Sequence, residues 1–144
     1  MSLSQTSEIT DARAVLETES SAIKLAAERL DANFIRAVEI LDVPDGKIVV
    51  TGLGKSGHVG RKIAATFCST GSPAVFMHAS EAVHGDLGVH QSGNPTIFLS
   101  NSGSTSELLA LVPILRGRGS SLVGILGNLD GVLAQKMDVA LDAS

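Results

Sequence analysis

The chain has 144 residues, of which 44% are hydrophobic and 18% are charged, so it fits one domain with a core of its own. It is too apolar for a disordered protein, and its net charge of −4 argues against nonspecific binding to nucleic acid or to an anionic membrane. Four Phe, with no Tyr and no Trp, offer few platforms on which single-stranded nucleic acid could stack.

No targeting or membrane segment is predicted. The first ten residues are polar and lack the basic segment and apolar core of a signal peptide, and no run of about 18 apolar residues predicts a span. Cys68 is the only cysteine, so no intramolecular disulfide can form. Its apolar neighbours predict a structural thiol on a buried helix face. We therefore expect a cytoplasmic protein.

Two helices are predicted before the first strand. Residues 1–7 are polar, and we expect them to be flexible. Residues 8–41 lack glycine and proline and repeat apolar side chains at steps of three and four, which is the period of an amphipathic helix. Asp-Ala-Asn at residues 31–33 is the predicted break between the two helices.

From Lys47 onward, short apolar runs alternate with helical stretches. The runs are nearly continuous in apolar residues, which predicts strands buried on both faces of a parallel sheet. The predicted strands are 47–51, 73–77, 96–99, 121–126 and 138–141, and the predicted helices are 57–69, 79–83, 105–117 and 130–136. This alternation predicts an α/β fold, with a doubly wound α/β/α core over residues 47–144. Such sheets bind ligands beyond the carboxyl ends of their strands, here loops 52–57, 78–90 and 100–105.

The first of these loops is rich in glycine. Gly52, Gly54 and Gly57 form a G-x-G-x-x-G pattern directly after a strand, and the helix that follows offers free amides to an anion. An anion site is favoured over a dinucleotide site, because no acidic residue ends the second strand, and over a turn without a ligand. Lys55 lies where the helix dipole disfavours a cation, which makes it a candidate functional residue.

The loop after the third strand is dense in hydroxyl groups. Residues 100–107, SNSGSTSE, contain six Ser, Thr or Asn. A capping box, in which Glu107 reaches back to the amide of Ser104, would explain those two residues. It leaves Ser100, Ser102 and Thr105 without a role, and these hydroxyls, together with helix-start amides, favour a phosphate site.

The remaining loop holds three histidines, His78, His84 and His90. Their spacing matches no closed zinc pattern, although imidazole is a common metal ligand, and unrelated surface histidines are an open alternative. His84, followed by Gly-Asp, suits proton transfer because the pKa of a histidine lies close to neutral pH.

Together these loops resemble those of a known family, the SIS (sugar isomerase) domain of D-arabinose-5-phosphate isomerases of the KdsD/KpsF/GutQ type. The resemblance rests on three motifs in this order, GLGKSGHVGRK, HASEAVHGDLG and SNSGSTSE, and extends from about residue 10 to residue 144. It implies a flavodoxin-like sheet of strand order 2-1-3-4-5 in a homodimer or homotetramer. It also implies interconversion of D-arabinose 5-phosphate and D-ribulose 5-phosphate through an enediolate, an early step of Kdo and lipopolysaccharide biosynthesis.

The resemblance also assigns roles to residues. One set would hold the substrate phosphate: Ser56, Ser100, Asn101, Ser102 and Thr105. A second set, Lys55, His84 and Glu107, would belong to the active site, with Lys55 steadying charge on the sugar oxygens. Glu107 would serve as the base and His84 as the acid, although the resemblance leaves their division of labour open. The chemistry needs a base, an acid and oxyanion donors but no redox cofactor, so no cofactor is expected, and no residue is assigned to a metal.

Two features depart from the family pattern. The family often has NSGES where residues 101–105 read NSGST, which removes a carboxylate. The family also continues beyond the position of Ser144, with a further glutamate and histidine of the active site and often a tandem CBS pair. We therefore expect residues 1–144 to form a single SIS domain without these parts, which binds sugar phosphate but turns it over poorly.

Three other functions remain open at this point: a dinucleotide-binding domain, which the glycine pattern alone would allow, and two functions of an SIS domain. One is an SIS isomerase that acts on a different ketose phosphate. The other is a noncatalytic module that senses a phosphosugar; the absence of a helix-turn-helix pattern and of a basic patch weakens a direct regulatory role on DNA.

Overall fold

The computed structural model describes the backbone of residues 3–144 and the side chains from residue 7 onward. Two helices come first, α1 over Leu3–Glu28 and α2 over Ala32–Leu41. The strands are β1 Ile48–Gly52, β2 Ala74–His78, β3 Thr96–Ser100, β4 Leu122–Leu126 and β5 Val139–Asp142. The helices among them are α3 Gly54–Ser69, α4 Ala79–Val83 and α5 Ser106–Gly117, with short 3-10 turns at Asp86–Val89 and Ala134–Lys136.

Helix α1 and the rest of the chain are two separate compact units. The first extends to Asp31 and the second covers Ala32–Ser144. Of the start expected to be flexible, residues 1 and 2 lie outside the described residues, and residues 3–7 belong to α1. Among the described residues, no helix combines the length and the apolar character that a bilayer crossing requires.

The second unit is built on one parallel sheet of strand order β2-β1-β3-β4-β5. This confirms the predicted fold, and each strand lies within one or two residues of its predicted range. Strands β1 and β3 are buried at every position, as continuous apolar runs require.

Successive side chains of each strand point to opposite faces of the sheet, and each face has its own core. Val49 and Phe98 pack on one face with the apolar side chains of α4 and α5. Val50 and Ile97 pack on the other face with those of α2 and α3. Helices α3 and α5 therefore leave the sheet on opposite faces, on either side of the boundary between β1 and β3.

Three local predictions are wrong. Cys68 is exposed, and its thiol donates a hydrogen bond to the carbonyl of Ala74 at 3.1 Å. Helix α3 begins at Gly54 rather than at residue 57, and Gly54 has a left-handed φ of +52°, which glycine adopts without strain. The predicted helix 130–136 is reduced to the 3-10 turn Ala134–Lys136.

Candidate active site

The carboxyl ends of β1, β2 and β3 lie side by side at one end of the sheet. Gly52, the last residue of β1, is paired with His78 of β2 on one side and with Leu99 of β3 on the other. Neighbouring strands lie about 4.8 Å apart, so the three loops predicted to carry chemistry begin side by side. Because α3 and α5 start there on opposite faces, the space between their N-termini, which we call the crevice, is the topological switch point at which doubly wound sheets bind ligands.

The glycine loop holds the start of α3 close to the sheet. A Cβ on Gly52 would lie 3.2 Å from the carbonyl oxygen of Ser56, and one on Gly57 would lie 3.2 Å from the oxygen of Gly52. Lys55 lies in the first turn of α3, is exposed, and has no acidic neighbour in that turn. The structure therefore confirms that a cation stands at the positive end of this helix, beside the partly exposed Ser56.

The hydroxyl-rich loop is shaped by a buried serine. Ser100 is only 4% exposed; its Oγ accepts the amide of Gly103 at 3.1 Å and lies 3.1 Å from Oγ1 of Thr105. Gly103 has a φ of +66°, and a Cβ there would lie 2.6 Å from the oxygen of Asn128. Ser100 thus organises this loop, in addition to any contact that it makes with a ligand.

The start of α5 lacks the capping box that its sequence predicts. The N-cap is Thr105, and no side chain there accepts a cap hydrogen bond. Ser104 instead folds back onto Ser102, to which its amide and hydroxyl donate at 3.3 and 3.4 Å. No N-cap side chain therefore occupies the first amides of α5, which follow the exposed side chains of Asn101 and Ser102 in the sequence. This is the arrangement that an anion needs at a helix N-terminus.

Glu107 is the second residue of α5 and is kept ionised. Its pKa lies below the ordinary value of a glutamate, first because its own backbone amide donates to the carboxylate and second because the Ser106 hydroxyl does so at 2.8 Å. An ionised carboxylate at neutral pH can accept a proton but has none to donate.

The three histidines occupy different places. His84 is exposed at the end of α4, a helix that packs against α5. His78 lies at the end of β2 with its ring 6.4 Å from that of Phe76, and the described side chains leave its buried Nδ1 without a partner. His90 is 2% exposed and lies before β3, away from the carboxyl ends of the strands. Its Nε2 lies 3.0 Å from the carbonyl of Asn94. Burial lowers the pKa of His90, which keeps it neutral.

The separation of the three histidines is relevant to metal binding. Among the residues that the structure describes, no group of three His, Cys, Asp or Glu side chains is placed to hold a metal ion. His90 belongs instead to a buried hydrogen-bonded cluster before β3, and Arg118 fixes its loop with 3.0 Å bonds to the carbonyls of Leu87 and His90.

The site includes residues that sequence reasoning missed. The loop over residues 127–133 supports the hydroxyl-rich loop: the amide of Gly127 donates to the oxygen of Ser100 at 3.0 Å, and that of Leu133 to the oxygen of Gly103 at 2.8 Å. A Cβ on Gly131 would lie 2.6 Å from the same oxygen of Gly103. The two glycines in GNLDG, residues 127–131, are the only sequence signal of this close approach.

Comparisons with known proteins agree with this geometry. The SIS domain family matches residues 43–144. The arabinose 5-phosphate isomerase KdsD of Pseudomonas aeruginosa is 43% identical over 136 residues, which are 94% of this chain and 42% of that protein. The arabinose 5-phosphate isomerase GutQ of Salmonella typhimurium is 44% identical over 81% of this chain and 36% of that protein. The chain thus spans about two fifths of these curated relatives.

A solved structure extends the match to three dimensions. The Escherichia coli CFT073 protein c3406, in complex with arabinose 5-phosphate, superposes with a TM-score of 0.90 at 36% sequence identity. The match covers 99% of this chain and 75% of that one. A parallel sheet of this order, a crevice between two helix starts and a family match over residues 43–144 lead to one conclusion: the chain belongs to the SIS domain family.

Proposed function

We propose that this chain belongs to a sugar-phosphate isomerase that interconverts D-arabinose 5-phosphate and D-ribulose 5-phosphate, at an early step of Kdo and lipopolysaccharide biosynthesis. The observation that carries the proposal is the crevice itself. One side is the hydroxyl-lined start of α5, whose second residue is the ionised Glu107, and the other side is the cationic start of α3. The names of the relatives indicate which sugar phosphate is the substrate, and the residues around the crevice indicate the type of reaction.

The phosphate end of the substrate is assigned to the α5 side. The amides of the first turn of α5 and the hydroxyls of Ser102 and Thr105 are donors, and a phosphate dianion accepts several hydrogen bonds. Ser100 keeps the loop in shape, and Ser56 and Asn101 add donors from either side of the crevice. This anchor provides binding energy remote from the reacting carbons, which orients them.

The reacting end is assigned to Glu107, Lys55 and His84. The Glu107 carboxylate accepts the proton from C2 of the open-chain aldose, and the C2–H electron pair forms the C1=C2 bond of the enediolate. Lys55 stabilises the negative charge that develops on the sugar oxygens. His84 exchanges a proton with those oxygens, and return of a proton to C1 completes the ketose.

Exchange of the C2 proton with solvent tests this proposal. Arabinose 5-phosphate incubated with the protein in D₂O should lose its C2–H signal in the proton NMR spectrum, even where net turnover is slow. Glu107→Gln should abolish the exchange, since it removes the base and retains the shape of the side chain. Tight sugar-phosphate binding without any exchange would instead support the noncatalytic sensor, and exchange of another ketose phosphate at a higher rate would reassign the substrate.

The proposal extends to assembly and location. A homodimer or homotetramer is supported by the apolar side chains that α1 leaves exposed, with Ile9 at 51%, Leu16 at 66% and Ile23 at 72%. Their spacing of seven residues is typical of a helix that packs along another helix. A cytoplasmic location suits a phosphorylated substrate and a free thiol. Sedimentation equilibrium of the wild type and of Leu16→Asp tests the assembly, since a single monomeric species in both would refute it.

A further inference from the structure

A glycine pair lies along α3, formed by Gly57, the last glycine of the glycine loop, and Gly60, one turn further on. Gly57 and Gly60 are three residues apart, so they share the face of α3 that packs on the sheet, and both are buried. Neither has a left-handed φ, so backbone conformation does not require glycine at either position. Glycine is required there because the neighbouring atoms leave little space for a Cβ.

The obstacle is the ring of Phe76 on β2. A Cβ added to Gly60 would lie 2.9 Å from Cε2 and 3.1 Å from Cδ2 of Phe76, and 3.3 Å from Cγ1 of Val50. A Cβ on Gly57 would lie 3.5 Å from Cζ of the same ring. The helix therefore rests directly on Phe76, at a distance that only glycine at position 60 allows.

The ring is held from other sides as well. The guanidinium carbon of Arg61 lies 4.5 Å from the centroid of the Phe76 ring, in a cation–π contact. The ring of His78 meets Phe76 edge to face at 6.4 Å and an interplanar angle of 68°. The backbone of Phe76 is also paired with Val50 in the sheet, so we expect a side chain at position 60 to displace the helix rather than the ring.

Displacement of α3 would move the residues that it contributes to the crevice. Lys55 is five residues before Gly60, about 7.5 Å along the same rigid helix. A shift of the helix away from β2 carries Lys55 and Ser56 with it, whereas the start of α5 stays in place on the opposite face. A misplacement of about 1 Å in a catalytic group can cost about 100-fold in rate.

We propose that Gly60 is a positioning residue of the site: its contact with Phe76 sets the distance of α3 from the sheet and thereby the place of Lys55 and Ser56. This inference rests on the proposed function for its consequence in catalysis, but its structural part stands without it.

The test is a pair of variants with a compensating change. Gly60→Ala should weaken arabinose 5-phosphate binding about tenfold in calorimetry, at a temperature where the chain is folded. It should also shift the amide NMR signals of residues 53–56. Adding Phe76→Leu removes the Cε2 atom and should restore affinity to within about threefold. Gly117→Ala is the matched control, because a Cβ on this glycine of α5 meets nothing within 4 Å; it should leave affinity within about twofold.

Two results would overturn the inference. One is a folded Gly60→Ala protein with unchanged signals at residues 53–56 and unchanged affinity. The other is a double variant that binds as weakly as Gly60→Ala. A merely structural role would lower the melting temperature and leave the affinity of the folded protein unchanged. If the wild type itself does not bind arabinose 5-phosphate, the proposed function fails, and the amide signals alone decide the role of Gly60.

Discussion

Replacing Lys55 by methionine should stabilise the fold and weaken the ligand complex. Lys55 is an exposed cation in the first turn of α3, where the helix dipole is positive and no acidic residue offsets it. Methionine keeps the length of the side chain and its preference for a helix, and removes the charge. The two effects have opposite signs, which separates a ligand-binding lysine from a structural one.

Both magnitudes follow from the position of Lys55. Removing a cation from the wrong end of an exposed helix is worth about 0.3–1 kcal/mol of stability, which raises the melting temperature by about 1–4 °C in a chain of this size. A hydrogen bond from a charged group to the oxygens of the bound sugar is worth about 1.5–3 kcal/mol. Its loss should weaken binding by about 10- to 150-fold.

Thermal denaturation and calorimetry with arabinose 5-phosphate measure the two effects on the same sample. Lys62→Met is the control: it is exposed two turns further along α3, with its ammonium 3.0 Å from Oγ1 of Thr66, and should leave affinity within about twofold. A Lys55→Met protein that melts lower and binds normally would refute the reasoning and make Lys55 a structural residue.

Three further predictions concern the frame of the site. Thr51 is fully buried with its hydroxyl unpartnered among the described residues, so Thr51→Val should raise stability by about 1 kcal/mol in denaturant titration; a decrease would show that the hydroxyl is bonded in solution. Burial lowers the pKa of His90 below its unfolded value of 6.5, so protonation favours the unfolded chain. The free energy of unfolding should therefore fall as the pH drops below 6.5. His90→Gln should flatten that pH dependence, and an unchanged slope would contradict the prediction. Gly103→Ala should cost about 1–3 kcal/mol and weaken phosphate binding, and should cost more than Gly71→Ala, which shares a left-handed φ but has open space around it; equal losses would mean that backbone strain alone is responsible.

The sequence predicts the frame well because buried parallel strands leave a strong signal. Continuous apolar runs locate β1 and β3, and the rule that ligands bind at the carboxyl ends of strands selects the three loops around Gly52. These inferences need only local composition and the direction of the strands.

Details of the loops depend on tertiary contacts, which a motif does not contain. Ser104 and Glu107 have the spacing of a capping box, yet Ser104 bonds to Ser102 and Glu107 to Ser106. Gly103, next to Ser104, has a left-handed φ and lies against the carbonyl of Asn128. The role of Gly60 depends on Phe76, sixteen positions away in the sequence. The apolar neighbours of Cys68 predict a buried position that the structure does not have, because residues near the end of a helix can face solvent even within an apolar stretch.

The central claim is that the start of α5 holds the phosphate of a sugar phosphate. Calorimetric titration with arabinose 5-phosphate of the wild type and of a Ser102→Ala, Thr105→Ala double variant tests it most directly. The two hydroxyls together should contribute about 1–3 kcal/mol, so the double variant should bind about 5- to 150-fold more weakly at a temperature at which both proteins are folded. Equal affinity of a stable double variant would contradict the claim and move the phosphate away from α5.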